Sequence, residues 1–320
     1  MSITRRTVLA GTAAAAGAAL AGPALAKAPM SGQQNAGFHR FKIGSFEVIA
    51  LHDGVAVRDM PKGFVRNASD ADVSAAFAEL GLPADKLTIT FTALAVNTGD
   101  KVVLFDAGNG GAGGPVGNVA KNLAAAGIQP GDVDVHAFSH FHGDHIGGVK
   151  AADGKLVFPN AEIVVPDAEW AFWMDDAKMN NAPEAMKGGF QLVRKQFADM
   201  AGKVRRQSWE KEVVPGITAI QADGHTPGHT AYLISSGNQQ MMFVADITNH
   251  PGIFARRPEW QAIFDMDPQR AIDTRKRLLD RAAADKIRLS FYHAPFPATG
   301  FVVKDGAGYD FQQALWQNTL

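Results

Sequence analysis

The sequence contains no cysteine. That excludes disulfides, thiolate zinc ligands and a cysteine nucleophile. It also lacks a charge imbalance: 31 Lys and Arg face 32 Asp and Glu, a formal net charge of -1. There is accordingly no general electrostatic case for nucleic acid or for an anionic membrane surface. Beyond residue 26 no stretch is apolar enough to span a bilayer, and no low-complexity linker or charge run divides the remainder. With 46% hydrophobic and 20% charged residues the composition is that of an ordinary globular chain. Residues 27–320 are expected to form one domain built of two similar halves.

The first residues do not look like part of a fold. Arg5-Arg6 is a paired-arginine start, followed by an Ala/Gly-rich apolar run from Val8 to Gly22 and a small-x-small cleavage site at Ala24-Leu25-Ala26. The run is roughly 15 residues, short of the ~20 that span a membrane. A cleaved twin-arginine signal over residues 1–26 is expected. It implies periplasmic localisation, export in the folded state and no stable membrane anchor after cleavage.

The chain is organised around Ser139-His140-Phe141-His142-Gly143-Asp144-His145. Three of only ten histidines and one carboxylate fall within six positions. Imidazole is the commonest metal ligand, and this N/O mixture suits zinc, iron or manganese. His140 and His142 are two apart and in extended backbone point the same way. Asp144 and His145 follow at a turn into a helix and can reach a second ion.

Taken in order, Phe41 to Leu51 reads as a first strand ended by the turn Asp53-Gly54. A capped helix follows over Ser69 to Leu80, then strands over Ile89 to Asn97 and Lys101 to Asp106. Gly108 to Gly113 satisfies G-x-G-x-x-G, but no strand ends in an acid about 20 residues later, so a dinucleotide site is set aside. A helix is read over Val116 to Ala126. Val133 to Ser139 is a buried strand delivering the histidine cluster. Beyond the strand Ala161 to Val165 come helices at Asp167 to Asp175 and, after an irregular stretch to Gly189, at Phe190 to Met200. The second half repeats strand-then-ligand: Ile217 to Ala222 before Gly224-His225-Thr226-Pro227-Gly228-His229, Ala231 to Ser235, Met241 to Ala245 before Asp246, a helix opened by Asp267-Pro268, and Leu289 to Tyr292 before His293.

The order H-x-H-x-D-H, then His, Asp and His at widely spaced strand ends, resembles the metallo-β-lactamase superfamily of metallohydrolases. Leu104-Phe105-Asp106-Ala107-Gly108 supports the likeness. The Gly-rich loop, Phe158-Pro159-Asn160-Ala161, Gly224 to Thr230 and His293 to Gly308 bring it closest to the methyl parathion hydrolase-like and lactonase group. The resemblance implies an α/β fold, the αββα four-layer sandwich, with two mixed sheets flanked by helices. It also implies two divalent ions, zinc first, with manganese, cobalt or iron also accepted. His140, His142 and His229 would hold one, and Asp144, His145 and His293 the other, with Asp246 bridging. A water shared by two such cations, ~3.5–4 Å apart, loses a proton readily and becomes the nucleophile, with Asp144 and Asp246 as the catalytic carboxylates. Asp106 and His225 are expected to support the ligands from behind.

The likeness further implies a small-molecule ester, lactone or phosphotriester substrate that is fairly apolar. Trp173 and Phe190 would be pocket walls, with Asn249 and His250 facing substrate. The absence of a basic cluster near the C-terminus argues against glutathione thioesters. Asp246 in place of a cysteine or serine argues against a true β-lactamase. Departures from the organophosphate-hydrolysing relatives occur at Gly110 to Gly114, which carries no aromatic, and at polar Asn249. They favour lactone or carboxylic ester hydrolysis, with organophosphates as a side activity. Homodimers are usual among the look-alikes. Competing readings are an iron-dependent oxygenase or redox protein, and a non-catalytic metal-binding protein, on the same fold.

Overall fold

In the computed structural model residues 30–32, 34–111 and 115–320 are described; the expected signal at 1–26 lies outside them. The chain separates into two units, Met1–Asn35 and Ala36–Leu320, and every element below belongs to the second. No helix among the described residues is long and apolar enough to cross a membrane.

The amino-terminal half supplies β1 (Phe38–Ile43), β2 (Phe46–Asp59), β3 (Lys86–Asn97), β4 (Val102–Phe105), β5 (Val135–Ala137), β6 (Glu162–Pro166) and β7 (Arg205–Gln207). They lie side by side in chain order as one seven-stranded sheet. The second half supplies β8 (Glu212–Val214), β9 (Ile217–Gln221), β10 (Thr230–Ser236), β11 (Gln239–Ala245), β12 (Arg288–Phe291), β13 (Thr299–Asp305) and β14 (Gly308–Gln313), again in sequential order. Both sheets are mixed: β4 to β7 run parallel, as do β11 and β12, and the other pairs are antiparallel. Each half of the chain thus supplies one sheet.

Their facing sides meet in one core, where Val48, Leu94 and Phe105 of the first sheet share a cluster with Tyr232, Met241 and Phe243 of the second. The outer face of the second sheet is covered by Leu278, Leu279 and Ala282 of the helix Pro268–Asp285. The first is covered by Trp170, Trp173, Phe190, Val193 and Phe197 of the helices Asp167–Trp173 and Glu184–Phe197. Each such large side chain contributes about 1.5–3 kcal/mol by leaving water, and the layering is α–β–β–α, as expected.

Three local expectations are corrected. The strand read over Phe41 to Leu51 is a hairpin turning at Gly44, which has a φ of 56°. A Cβ there would lie 2.3 Å from Ser236 O, so the tight turn needs glycine. Asp53-Gly54 does not end the strand either; β2 passes through a bulge at that point and continues to Asp59. Asp53 is fully buried, and its carboxylate accepts from Asn109 N, Asn109 Nδ2 and Val119 N, pinning the Gly-rich loop and the start of the helix Val119–Ala125. Finally, the second aromatic helix starts at Glu184 rather than Phe190. Gly188 and Gly189 lie inside it, and a Cβ on Gly189 would sit 3.2 Å from the Trp173 ring, so close packing there outweighs glycine's poor helix propensity.

Candidate metal centre

Five strands end at one edge of the sandwich, and each releases a polar side chain there. β4 is followed by Asp106, β5 by the loop carrying His140 and His142, β9 by the turn with His225, β11 by Asp246, and β12 by His293 after one residue. Asp144 and His145 sit on the single turn Gly143–Ile146. Asp106 and Ala245 adopt left-handed backbone, with φ of 63° and 44°. That conformation is costly for alanine. It accompanies the register shift between Phe243 and Ala245 that swings Asp246 out of the ladder.

The side chains converge in two groups around Asp246. In one, His142 Nδ1 lies 3.1 Å from His140 Nε2 and 2.9 Å from His225 Nε2. In the other, Asp144 Oδ2 lies 3.4 Å from His293 Nε2 and 3.6 Å from His145 Nε2. Asp246 faces both: Oδ2 is 3.0 Å from His293 Nε2 and 3.4 Å from His225 Nε2, and Oδ1 is 3.3 Å from His145 Nε2. These clusters have the spacing of metal-ligand groups.

The far side of four of these imidazoles is held. His145 Nδ1 donates to Asp106 Oδ2 at 2.8 Å, His225 Nδ1 to Asp265 Oδ1 at 2.9 Å, and His293 Nδ1 to Thr90 O at 2.9 Å. His140 Nδ1 lies 3.0 Å from Ser139 Oγ. Such bonds place the remaining lone pair on the nitrogen that points inward. Asp106 also accepts from Ser139 N and Ser139 Oγ, and so is tied to the loop that carries His140 and His142. Asp265 is backed by Arg275, whose fully buried guanidinium reaches Oδ2 at 3.2 Å and the carbonyls of Ile247, Pro258 and Trp260.

A divalent cation fits these residues. Among the described residues His145 Nε2 and Asp246 Oδ1, 3.3 Å apart, are buried without a hydrogen bond, a costly state that coordination to a cation would relieve. Burial, with neighbouring imidazoles second, holds His140 and His142 well below the ordinary histidine pKa. They are therefore in the neutral form that ligates metal. Burial also pulls on His145 and His293, but nearby carboxylates, Asp246 foremost, carry both above the ordinary value. Asp246 itself lies well below the carboxylate range: burial raises it, and His293 and His145 more than reverse that. The site thus gathers acidic charge that calls for positive charge.

Of the two histidines in the turn after β9, the structure places His225, and not the expected His229, among the clustered nitrogens. His229 Nδ1 donates to Ala222 O at 2.9 Å, and its Nε2 accepts from Asp246 N at 3.1 Å. Both nitrogens are committed to backbone, so His229 positions Asp246 and leaves no lone pair for an ion. Spacing alone could not separate two histidines four apart in one turn.

The centre opens into a cavity of about 760 Å³. Ala56, Ile89, Phe91 and Phe264 form an apolar wall, while Asn109, Gln196 and Lys195 are polar. Asn249 lines it, with Oδ1 buried and unpartnered among the described residues. His250 does not: its ring lies 6.4 Å from that of Phe77, and burial pushes its pKa down to about 4. Trp173 and Phe190 are likewise not walls. They are 3% and 0% exposed and pack with ring centroids 4.7 Å apart in the outer core. The alternation of these aromatics with polar residues gave no way to tell core from pocket.

A cradle of imidazoles and carboxylates at the strand-end edge of an αββα sandwich, open to a cavity, defines a metal-dependent hydrolase. The chain belongs to the metallo-beta-lactamase superfamily, whose family model matches residues 89–293. Among solved structures it is similar to AidC, a dizinc quorum-quenching lactonase seen with its product, at 30% identity and a TM-score of 0.83, over 88% of this chain and 99% of that one. It is similar also to the hydrolase AbOPH, at 25% identity and a TM-score of 0.82, over 89% of this chain and 100% of that one. A probable metal-dependent hydrolase from Staphylococcus aureus, 21% identical with a TM-score of 0.72 over 88% of this chain and 100% of that one, shares the fold.

Proposed function

We propose that this hydrolase opens lactones and cleaves related carboxylic esters of apolar small molecules, with phosphotriesters as a side activity. The observation that carries the reading is the pair of ligand groups sharing Asp246 beneath a cavity with one apolar wall. His140, His142 and His225 would hold one divalent ion, and Asp144, His145 and His293 a second, with Asp246 between them. Zinc is the first candidate, since AidC is a dizinc enzyme. When bound, such ions polarise the carbonyl under attack and lower the pKa of water.

The chain's own groups do the rest. Asp246, fixed by His229 and by the turn at Ala245, keeps the two ligand groups at a set spacing. Asp144 is a quarter exposed and faces the cavity, so its carboxylate can take a proton from water and return it to the leaving alkoxide. Asn249 offers an amide to a polar group of the substrate, and the Ile89, Phe91 and Phe264 wall takes an acyl chain. Kinetics on metal-quantified protein with lactones, aryl esters and phosphotriesters test the reading. Turnover highest on lactones, with the ring-opened acid as product, is expected. Stoichiometric iron with oxygen consumption and no hydrolysis would overturn it. Export belongs to the same proposal: Arg5-Arg6 replaced by lysines should leave the chain in the cytoplasmic fraction.

A further inference from the structure

The two loops that form the His140, His142 and His225 group come from different sheets. His140 and His142 follow β5, and His225 follows β9. No covalent link sets their separation, yet ligand nitrogens must be placed to within about 0.5 Å to hold an ion well. Among the described residues one side chain outside the ligand set bonds to both loops beside the ligands. Glu169, on the helix Asp167–Trp173, is fully buried. Its Oε1 accepts from Phe141 N at 3.0 Å, the amide between the two ligand histidines, and from Trp173 Nε1 at 2.7 Å. Its Oε2 accepts from Thr226 Oγ1 and from Gly228 N, both at 2.8 Å, in the turn that carries His225.

Four donors on one side chain need four acceptor lone pairs, which only a carboxylate supplies. An amide in its place would turn its NH2 toward two of them. Burial pushes the Glu169 pKa up, and the four hydrogen bonds oppose it. No Lys, Arg or His among the described residues pairs with it. The backbone is shaped to the same contact: a Cβ on Gly228 would lie 2.0 Å from Glu169 N, so the turn needs glycine to close onto this helix. Thr230 N to Ser139 O at 2.9 Å and Tyr232 OH to Phe138 O at 2.6 Å also cross between the two sheets here. They anchor the strand ends, whereas Glu169 holds the residues flanking the ligands themselves.

We propose that Glu169 is the positioning residue of this ligand group, a buried carboxylate clamp that sets the distance between the His140/His142 loop and His225. The inference rests on the assignment of those three histidines as ligands. It separates the metal site's two halves, because the Asp144, His145 and His293 group receives no bond from Glu169.

Chelator-competition titration of the metal-free protein with zinc and with cobalt tests this, using wild type, Glu169→Gln, Thr226→Val, Trp173→Phe and His225→Ala. His225→Ala identifies the binding phase that belongs to the triad. In Glu169→Gln that phase should weaken at least about tenfold, with an altered cobalt spectrum, while the other phase stays within about twofold. Should Glu169→Gln not fold, Thr226→Val carries the test, since it removes one loop contact and leaves the carboxylate. Trp173→Phe removes a donor that tethers neither loop and should leave both phases unchanged. If Glu169→Gln or Thr226→Val only lowers the melting temperature, with titrations superimposing on wild type, the clamp is structural and the proposal fails. If His225→Ala removes no phase, the ligand assignment fails instead.

Discussion

His225 Nε2 lies 2.9 Å from His142 Nδ1, and this contact closes the nitrogen triangle in which His229, four residues later, takes no part. Replacement of the two histidines by alanine should therefore have unlike effects. His225→Ala should lose the ion held by the triad and cut kcat/KM by at least about a hundredfold. His229→Ala removes two buried hydrogen bonds to backbone and should chiefly cost stability, about 1–3 kcal/mol, with part of the metal retained. Elemental analysis beside urea unfolding distinguishes them; equal metal loss in both would contradict the assignment.

Asp246 is, among the described residues, the one carboxylate within 3.4 Å of histidines from both groups. Asp246→Ala should lose bound metal and nearly all turnover. Full metal content and normal rates in that variant would show that Asp246 does not join the two groups.

The Asp106 carboxylate serves three donors, His145 Nδ1, Ser139 N and Ser139 Oγ. Asp106→Asn can accept with only one oxygen and turns an NH2 toward the others. A loss of about 10–100-fold in metal affinity is expected, read by competition with a chelator and largest at the His145 group, which Asp106 touches directly.

His136 lies behind the ligand loop, 2% exposed, and burial lowers its pKa to about 3 from the ordinary 6.5. The folded state therefore favours the neutral ring, and above about pH 6.5 the group imposes no penalty. As pH falls below that value the unfolded chain takes up a proton that the folded chain refuses, so stability declines towards pH 3. In His136→Phe this component is absent. The stability of wild type minus variant, from urea unfolding, should fall by about 2 kcal/mol between pH 7 and pH 5. A pH-independent difference would mean that the ring is protonated in the fold.

The apolar wall should sort substrates by chain length. Phe264→Ala should raise KM for the longest acyl chains several-fold, about 1 kcal/mol of lost burial, and leave kcat and short-chain substrates nearly unchanged. A uniform fall in kcat across the series would place Phe264 elsewhere in the reaction.

The sequence by itself determined the chemistry and the edge at which it occurs. Imidazole and carboxylate density at residues 140–145 has few other uses. Alternating apolar runs place Asp246 and His293 at strand ends, because a strand buries its own side chains and leaves the residues just past its end at the edge of the sheet. The order of those ligands also determined the family. What only the tertiary structure decided were matters of direction and of partners distant in sequence. His225 and His229 share one turn, and the bonds to Ala222 O and Asp246 N that disqualify His229 come from outside it. Trp173 and Phe190 could face a pocket or a core until the helices were packed. Glu169 carried no signal at all, because its four donors come from residues 141, 173, 226 and 228 and meet only where the two sheets' loops converge. Local patterning fixes which elements form, whereas burial and hydrogen-bond satisfaction across long separations fix which nitrogen is left free to bind an ion.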